Sequence, residues 1–293
     1  MVSLMETRTA KELAEVASES DVDRKAGARY PGSVRAQGRF WQARWFIVVR
    51  AFSVFIGIWY LVALWVASPI QMPSPFKVLE ALIALGRTGE LFDHALISAT
   101  RLVISLVIST LIAVPLGFLM AMNREANAFI DPIVELLRPI SGIAWIPLGL
   151  FIFGVGGTLP IFIMAYVAFF PLLLNTIDGV KSIDRKLMSA AETMGVSRSA
   201  RLLHIAVPAA LPSVMVGFRI AFASAWAAII AAELIGSPSG LGFAIEWYRQ
   251  LLMSPKVFAF IAMIGAIGYL CDLGLRTLQH KLTPWAEGMG IGQ

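Results

Sequence analysis

Cysteine is almost missing from this 293-residue chain. Cys271 is the only one, which excludes an internal disulfide framework and any multi-cysteine zinc or iron–sulfur centre. Histidine is nearly as scarce. His94, His204 and His280 are scattered, and none makes a helical pair with another histidine or with the lone cysteine, so no metal site is expected. Charged residues make up 15% of the chain, against roughly 25% in an average soluble domain. No Gly-x-x-x-x-Gly-Lys-Ser/Thr phosphate loop occurs, so the chain cannot cradle ATP in the usual way. No repeat at 20 to 50 residues is visible, which removes solenoids and propellers. The first 45 residues hold no apolar core of the kind a secretory signal carries.

What the chain does have is apolar length. Hydrophobic residues make up 58%, the mean hydropathy is +0.75, and the apolar residues come in blocks long enough to cross a bilayer. Six spans are expected: about Phe46–Ala67, Leu102–Met122, Pro132–Gly154, Thr158–Asp178, Pro208–Ile235 and Val257–Arg276. Trp41, Trp45, Trp59 and Tyr60 flank the first, as interfacial aromatics do. The reading is an all-α integral membrane protein. It has an N-terminal tail over 1–45, polar and largely unstructured apart from a loose helix over Met1–Val16, a membrane domain over 46–282, and a short tail over 283–293.

The net charge of +5 would suggest nucleic acid in a soluble protein, but here the basic residues sit beside apolar blocks and read as topology signals. With the N-terminus inside, sixteen Lys and Arg fall on the cytoplasmic side, against five outside: Lys77, Arg87, Arg101, Arg249 and Lys256. Both termini are therefore expected in the cytoplasm. Pro73-Ser-Pro75 and Gly236-Ser-Pro-Ser-Gly240 are turn signals on the outer face.

Between the fourth and fifth spans, Leu187, Ala190, Ala191 and Met194 fall at i, i+3, i+4 and i+7. Gly195 follows where a left-handed helix terminator is usually glycine. With Arg185, Lys186 and Glu192 off the stripe, the pattern predicts a short amphipathic helix. It either lies on the membrane surface or docks into a groove on a partner.

The run Ser189-Ala-Ala-Glu-Thr-Met-Gly195, then nine residues, then Ile205-Ala-Val-Pro208, resembles the cytoplasmic signature of binding-protein-dependent ABC importer permeases. That signature reads Glu-Ala-Ala, three residues, Gly, nine residues, Ile, any residue, Leu, Pro. Ala190, Ala191, Gly195, Ile205 and Pro208 match; Ser189 stands for Glu and Val207 for Leu. The likeness runs from about Ser98 to Leu278. Arg138-Pro-Ile-Ser-Gly-Ile-Ala-Trp-Ile-Pro147, Pro208-Ala-Ala-Leu-Pro212 through Arg219, and Ser239-Gly-Leu-Gly242 are similar to the nitrate, sulfonate and taurine subgroup.

The resemblance implies the type I permease fold of about six spans, with Ser189, Ala190, Ala191, Glu192, Met194, Gly195, Ile205 and Pro208 in an ATPase-coupling segment. It implies a nucleotide-binding subunit carrying ATP and Mg, a second permease copy, and a periplasmic or lipid-anchored binding protein. The expected location is a bacterial inner membrane. No cofactor is expected on this chain, and no enzyme activity of its own.

Three charged residues stand out in the spans. Arg219 lies roughly 16 Å along the fifth helix from Pro208, deep enough to face either an anionic pathway or a partner such as Glu135. Glu233 lies fourteen residues further, a candidate gate or docking contact at the outer end. Arg138 lies three residues from Glu135, close enough to pair with it on one helical face. Gly217, Ala221 and Ala225, with Ser224, Ala228 and Ala232, form small-residue stripes that let helices approach closely.

An intramembrane protease is disfavoured, because Ser237 and Ser239 have no membrane histidine to activate them and Asp272 has no second aspartate at its depth. A self-sufficient secondary transporter or channel is the remaining alternative. It would leave the amphipathic helix without a purpose, and uptake would then survive ATP depletion at constant membrane potential.

Overall fold

A computed structural model describes residues 37–285, and every element among them is helical. The expected tails lie outside the described residues except at 37–45 and 283–285. Residues 37–45 are helical, not an unstructured tail, and belong to α1 (Gln37–Val66). Taken by itself, α1 carries a 22-residue apolar stretch, Trp45–Val66, whose large side chains Phe46, Phe52, Phe55 and Leu61 are exposed.

From Val62 onward the elements are α2 (Pro75–Thr88), α3 (Glu90–Met122), α4 (Arg124–Leu137), a 3-10 turn (Gly142–Trp145), α5 (Ile146–Phe153), α6 (Thr158–Lys181), α7 (Arg185–Thr193), α8 (Arg198–Arg201), a π turn (Leu202–Ala206), α9 (Val207–Gly236), α10 (Leu241–Gln250) and α11 (Ser254–Leu282). Among the described residues five helical stretches are long and apolar enough to cross a membrane, and the bent pair α4 and Gly142–Phe153 makes a sixth when counted as one span.

Two expected spans change form. The second starts at Glu90 rather than Leu102, so Arg101 lies inside a helix and not in an outer loop. The third is not one continuous helix, because its halves meet at 84°. Pro139 has no amide hydrogen to continue the ladder, and Ser141 is extended at ψ 136. Glu135 and Arg138 are both exposed and form no ion pair with each other among the described residues. The short helices α2 and α10 were absent from the sequence reading. The first buries Val78, Ala81 and Leu85 on one stripe, and the second buries Leu241, Ala244, Ile245 and Tyr248.

The core is α6 packed between α3 and α9. Leu159, Ile163, Met164, Ala168, Leu172 and Leu173 of α6 are fully enclosed, while Val103, Val107 and Leu111 of α3 face outward where lipid tails would cover them. The small-residue stripes serve this packing. Ala221, Ala225 and Ala232 are fully buried, and a Cβ on Gly217 would stand 2.6 Å from Asn175 Cβ. Polar ties cross between helices as well: Ser109 Oγ of α3 donates to the Ala165 carbonyl of α6 at 2.8 Å, and Trp226 Nε1 of α9 donates to the Ile264 carbonyl of α11 at 3.3 Å.

Candidate coupling segment and membrane cleft

The loop after α6 is built as a rigid knob. Asp184 caps α7 by accepting from the Lys186 amide at 2.8 Å. At the other end Gly195 adopts φ +74, its amide bonds Glu192 O at 3.0 Å, and the Val196 amide bonds Ala191 O at 3.0 Å. This is the paired closure that a left-handed glycine permits. A Cβ at Gly195 would meet nothing within 4 Å, so backbone conformation alone asks for glycine here. Ser197 Oγ accepts from the Ala200 amide at 3.3 Å, starting α8, and the π turn carries the chain into α9, with Pro208 in the first turn of that helix. Arg201 pairs with Glu192 at 3.2 Å, fastening the knob to the link.

The expected stripe divides. Leu187, Ala190 and Met194 are exposed, Met194 to 82%, while Ala191 turns inward at 6%. Ser189 is exposed, Ile205 is half-buried and Pro208 is exposed. A partner would therefore meet Leu187, Ala190, Met194 and Ser189.

Inside the bend between α4 and the 3-10 turn lies a cleft of about 920 Å³. Arg138, Ser141, Tyr166, Asn175, Asp178 and Ser224 supply its polar wall, and Phe170, Ile220 and Ala227 its apolar one. Tyr166 holds the bend by donating its hydroxyl to Leu137 O at 2.7 Å. Gly142 is required at the turn because a Cβ there would run into Val167 Cγ2.

A second recess of about 590 Å³ is lined by Arg219, Asp272, Val216 and Ala223, and shares Ile220, Ser224 and Ala227 with the first. Arg219 does not pair with Glu135. Its Nε donates to Asp272 Oδ1 at 2.8 Å, and Arg276 Nε donates to the other carboxylate oxygen at 2.9 Å.

Glu233 does not stand open as a gate. It is fully buried, taking Arg101 Nη1 at 2.8 Å, Ser98 Oγ at 2.8 Å and the Gly242 amide at 3.0 Å. Arg101 also donates to Ser239 O at 2.7 Å and to Ser239 Oγ at 2.8 Å. The Leu241 amide donates to Ser98 Oγ at 2.9 Å and the Gly240 amide to His94 Nδ1 at 3.1 Å. Gly240, at φ +108, leaves room for the Glu233 carboxylate, which a Cβ would strike. The knot joins α3, α9 and α10. One signal for it stood in the sequence: Ser98, Arg101, Ser105 and Ser109 recur at three to four residues, a polar stripe on an apolar helix, and all four are buried.

A family described as the inner membrane component of binding-protein-dependent transport systems matches residues 113–284, which contain α4 to α11 and the knob between α6 and α9. The chain belongs to this family. Among relatives of this permease, the taurine transport system permease protein TauC of Escherichia coli K12 is 36% identical over 243 residues, covering 81% of this chain and 88% of that one. The putative aliphatic sulfonates transport permease protein SsuC of Bacillus subtilis is 32% identical over 234 residues, covering 80% and 85%. Among solved structures, the MetNI methionine ABC transporter in an inward-facing conformation aligns at a TM-score of 0.58 and 18% identity, over 65% of this permease and 94% of that chain. That likeness establishes the shared fold.

Proposed function

We propose that this permease forms the pathway of an ATP-driven importer for a small anionic solute of the sulfonate, taurine or nitrate type. Residues Ser189, Ala190, Ala191, Glu192, Met194, Gly195, Ile205 and Pro208 couple it to a separate ATPase subunit, which carries the ATP and Mg. A second copy completes the pathway, and a periplasmic or lipid-anchored binding protein delivers the solute. The observation that carries this reading is the knob: three exposed side chains, Leu187, Ala190 and Met194, on a helix capped at both ends and pinned by Arg201–Glu192. A free apolar face on a rigid element between two membrane helices is what a partner's groove requires, and its link enters α9 directly, so displacement of the knob moves a membrane helix.

The names of TauC and SsuC support the solute class, as does Arg138 in the wall of the first cleft. The Lys and Arg distribution supports both termini, and with them the coupling segment, on the cytoplasmic side of a bacterial inner membrane. Co-purification of the tagged chain from its native membrane in mild detergent, with partners identified by mass spectrometry, tests the reading. Recovery of a phosphate-loop ATPase supports it. Recovery of the chain alone, from membranes in which it sustains uptake, overturns it in favour of a self-sufficient transporter.

A further inference from the structure

We infer that the cleft at the bend is a two-part binding site for an anion with a short apolar body, its oxyanion head at Arg138 and its body against Phe170, Ile220 and Ala227. The inference rests on the transport reading above and narrows its substrate class. The first argument is charge. Arg101 is bound by Glu233 and Arg219 by Asp272, whereas Arg138 has no carboxylate within ion-pair distance among the described residues. An anion entering the second recess meets the Asp272 carboxylate in its wall. In the first cleft the carboxylate is Asp178, twelve residues along α6 from Tyr166, so about 18 Å further down the helix axis. Tyr166 itself is held to Leu137 O, next to Arg138. The head end of the cleft is thus positive and the far end negative, within one space.

The second argument is volume and lining. A cleft of about 920 Å³ lies in the range of pockets that take organic ligands, roughly 300–1,000 Å³, and a bare inorganic oxyanion fills little of it. Ser141, Asn175 and Ser224 add hydrogen-bonding groups on the polar wall. Phe170, Ile220 and Ala227 offer an apolar wall on which each methylene gains roughly fourfold in affinity.

The test uses the permease–ATPase complex in proteoliposomes, with Cys271→Ser as background and Ser141→Cys as reporter. The rate of modification by 2-aminoethyl methanethiosulfonate is measured with 1-butanesulfonate, ethanesulfonate or nitrate as probes. Butanesulfonate is expected to slow labelling at least fivefold and to half-protect at a concentration roughly fifteenfold below that of ethanesulfonate, with nitrate weaker than both. Arg138→Gln should remove the protection and Arg138→Lys retain part of it, which also separates lost charge from lost fold. Equal protection by nitrate and butanesulfonate, unchanged protection in Arg138→Gln, or a reporter blocked under every condition because a second copy fills the cleft would each overturn the inference. ATP-driven uptake of labelled taurine, butanesulfonate and nitrate, by the importer with native Ser141 and its binding protein, is scored separately. Uptake without protection sinks this inference alone, whereas no uptake of any of the three sinks the transport reading.

Discussion

Glu233→Ala should be among the most damaging single changes in this protein. The carboxylate is fully enclosed and takes three donors: Arg101 at 2.8 Å, Ser98 at 2.8 Å and the Gly242 amide at 3.0 Å. Its removal leaves the Arg101 guanidinium, itself only 7% exposed, without its counter-charge in the membrane domain. Breaking one side of a buried, hydrogen-bonded ion pair costs about 3–5 kcal/mol, and the orphaned Gly242 amide adds about 1–3 kcal/mol. Replacing both partners, as Arg101→Met with Glu233→Leu, removes the stranded charge as well as the pair. The double variant should therefore be no less stable than Glu233→Ala, with a coupling of at least about 2 kcal/mol in the cycle that includes Arg101→Met and Glu233→Leu alone. The assay is reversible unfolding of the purified permease in mixed micelles of rising sodium dodecyl sulfate fraction, followed by helical circular dichroism. A Glu233→Ala loss below about 1 kcal/mol, or strict additivity in the cycle, would refute the claim that this pair staples α3 to α9.

Three further outcomes are expected. Gly195→Val, which forces a β-branched residue to φ +74, should abolish ATP-dependent uptake at an unchanged membrane level, while Gly195→Asn keeps most of it; equal loss in both would deny the backbone argument. Gly217→Ala should destabilise by about 1–3 kcal/mol, because its Cβ meets Asn175 at 2.6 Å, whereas Gly265→Ala, with nothing within 4 Å, should be neutral or slightly stabilising in the same unfolding assay. In α10, hydrogen bonds from Arg249 and then Gln250 hold the Glu246 carboxyl down at about 2, below its ordinary 4.5. A depressed folded-state value means that its contribution is present above about pH 4.5 and is lost as pH falls through about 2. The stability difference between the native chain and Glu246→Gln should hold flat from pH 8 to 5 and shrink below that, and a difference that grew on acidification would contradict the assignment.

Much of the membrane architecture was legible because a bilayer imposes a length and a composition on every span, and five of the six apolar blocks returned as helices with ends shifted by up to twelve residues. The left-handed closure at Gly195 was legible for a similar reason, since backbone conformation alone selects that residue. The bend at Arg138–Gly142 was not. Apolar content continues unbroken across it, and Pro139 with Pro147 marks a weak point without giving the angle of 84°. The short helices α2 and α10, of 14 and 10 residues, lie in the stretches between expected spans and are too short to register as spans themselves.

The arginines show why the site was only half readable. Arg138 and Arg219 sit at the edge or in the interior of an apolar block and in sequence read as charges in need of a reason, whereas Arg101, one residue before the expected second span, reads as an outer-loop charge. Spacing along one helix offered Glu135 to Arg138, and for Arg219 the same acid was the partner weighed across the bundle, since sequence alone does not say which helices are neighbours. The fold instead gives Arg101 a partner 132 residues away and Arg219 a partner 53 residues away. Those choices follow from which helices are neighbours, through close contacts such as Gly217 on Asn175 and the Gly240 turn over Glu233. Once the two acids at helix contacts are taken, Glu135 and Arg138 remain apart and the cleft keeps an uncompensated cation in its wall. Packing therefore sorts three similar charges into a staple, a guanidinium that shares the Asp272 carboxylate with Arg276, and one with no carboxylate bound to it, and only the last meets an anion without an acid already at its side.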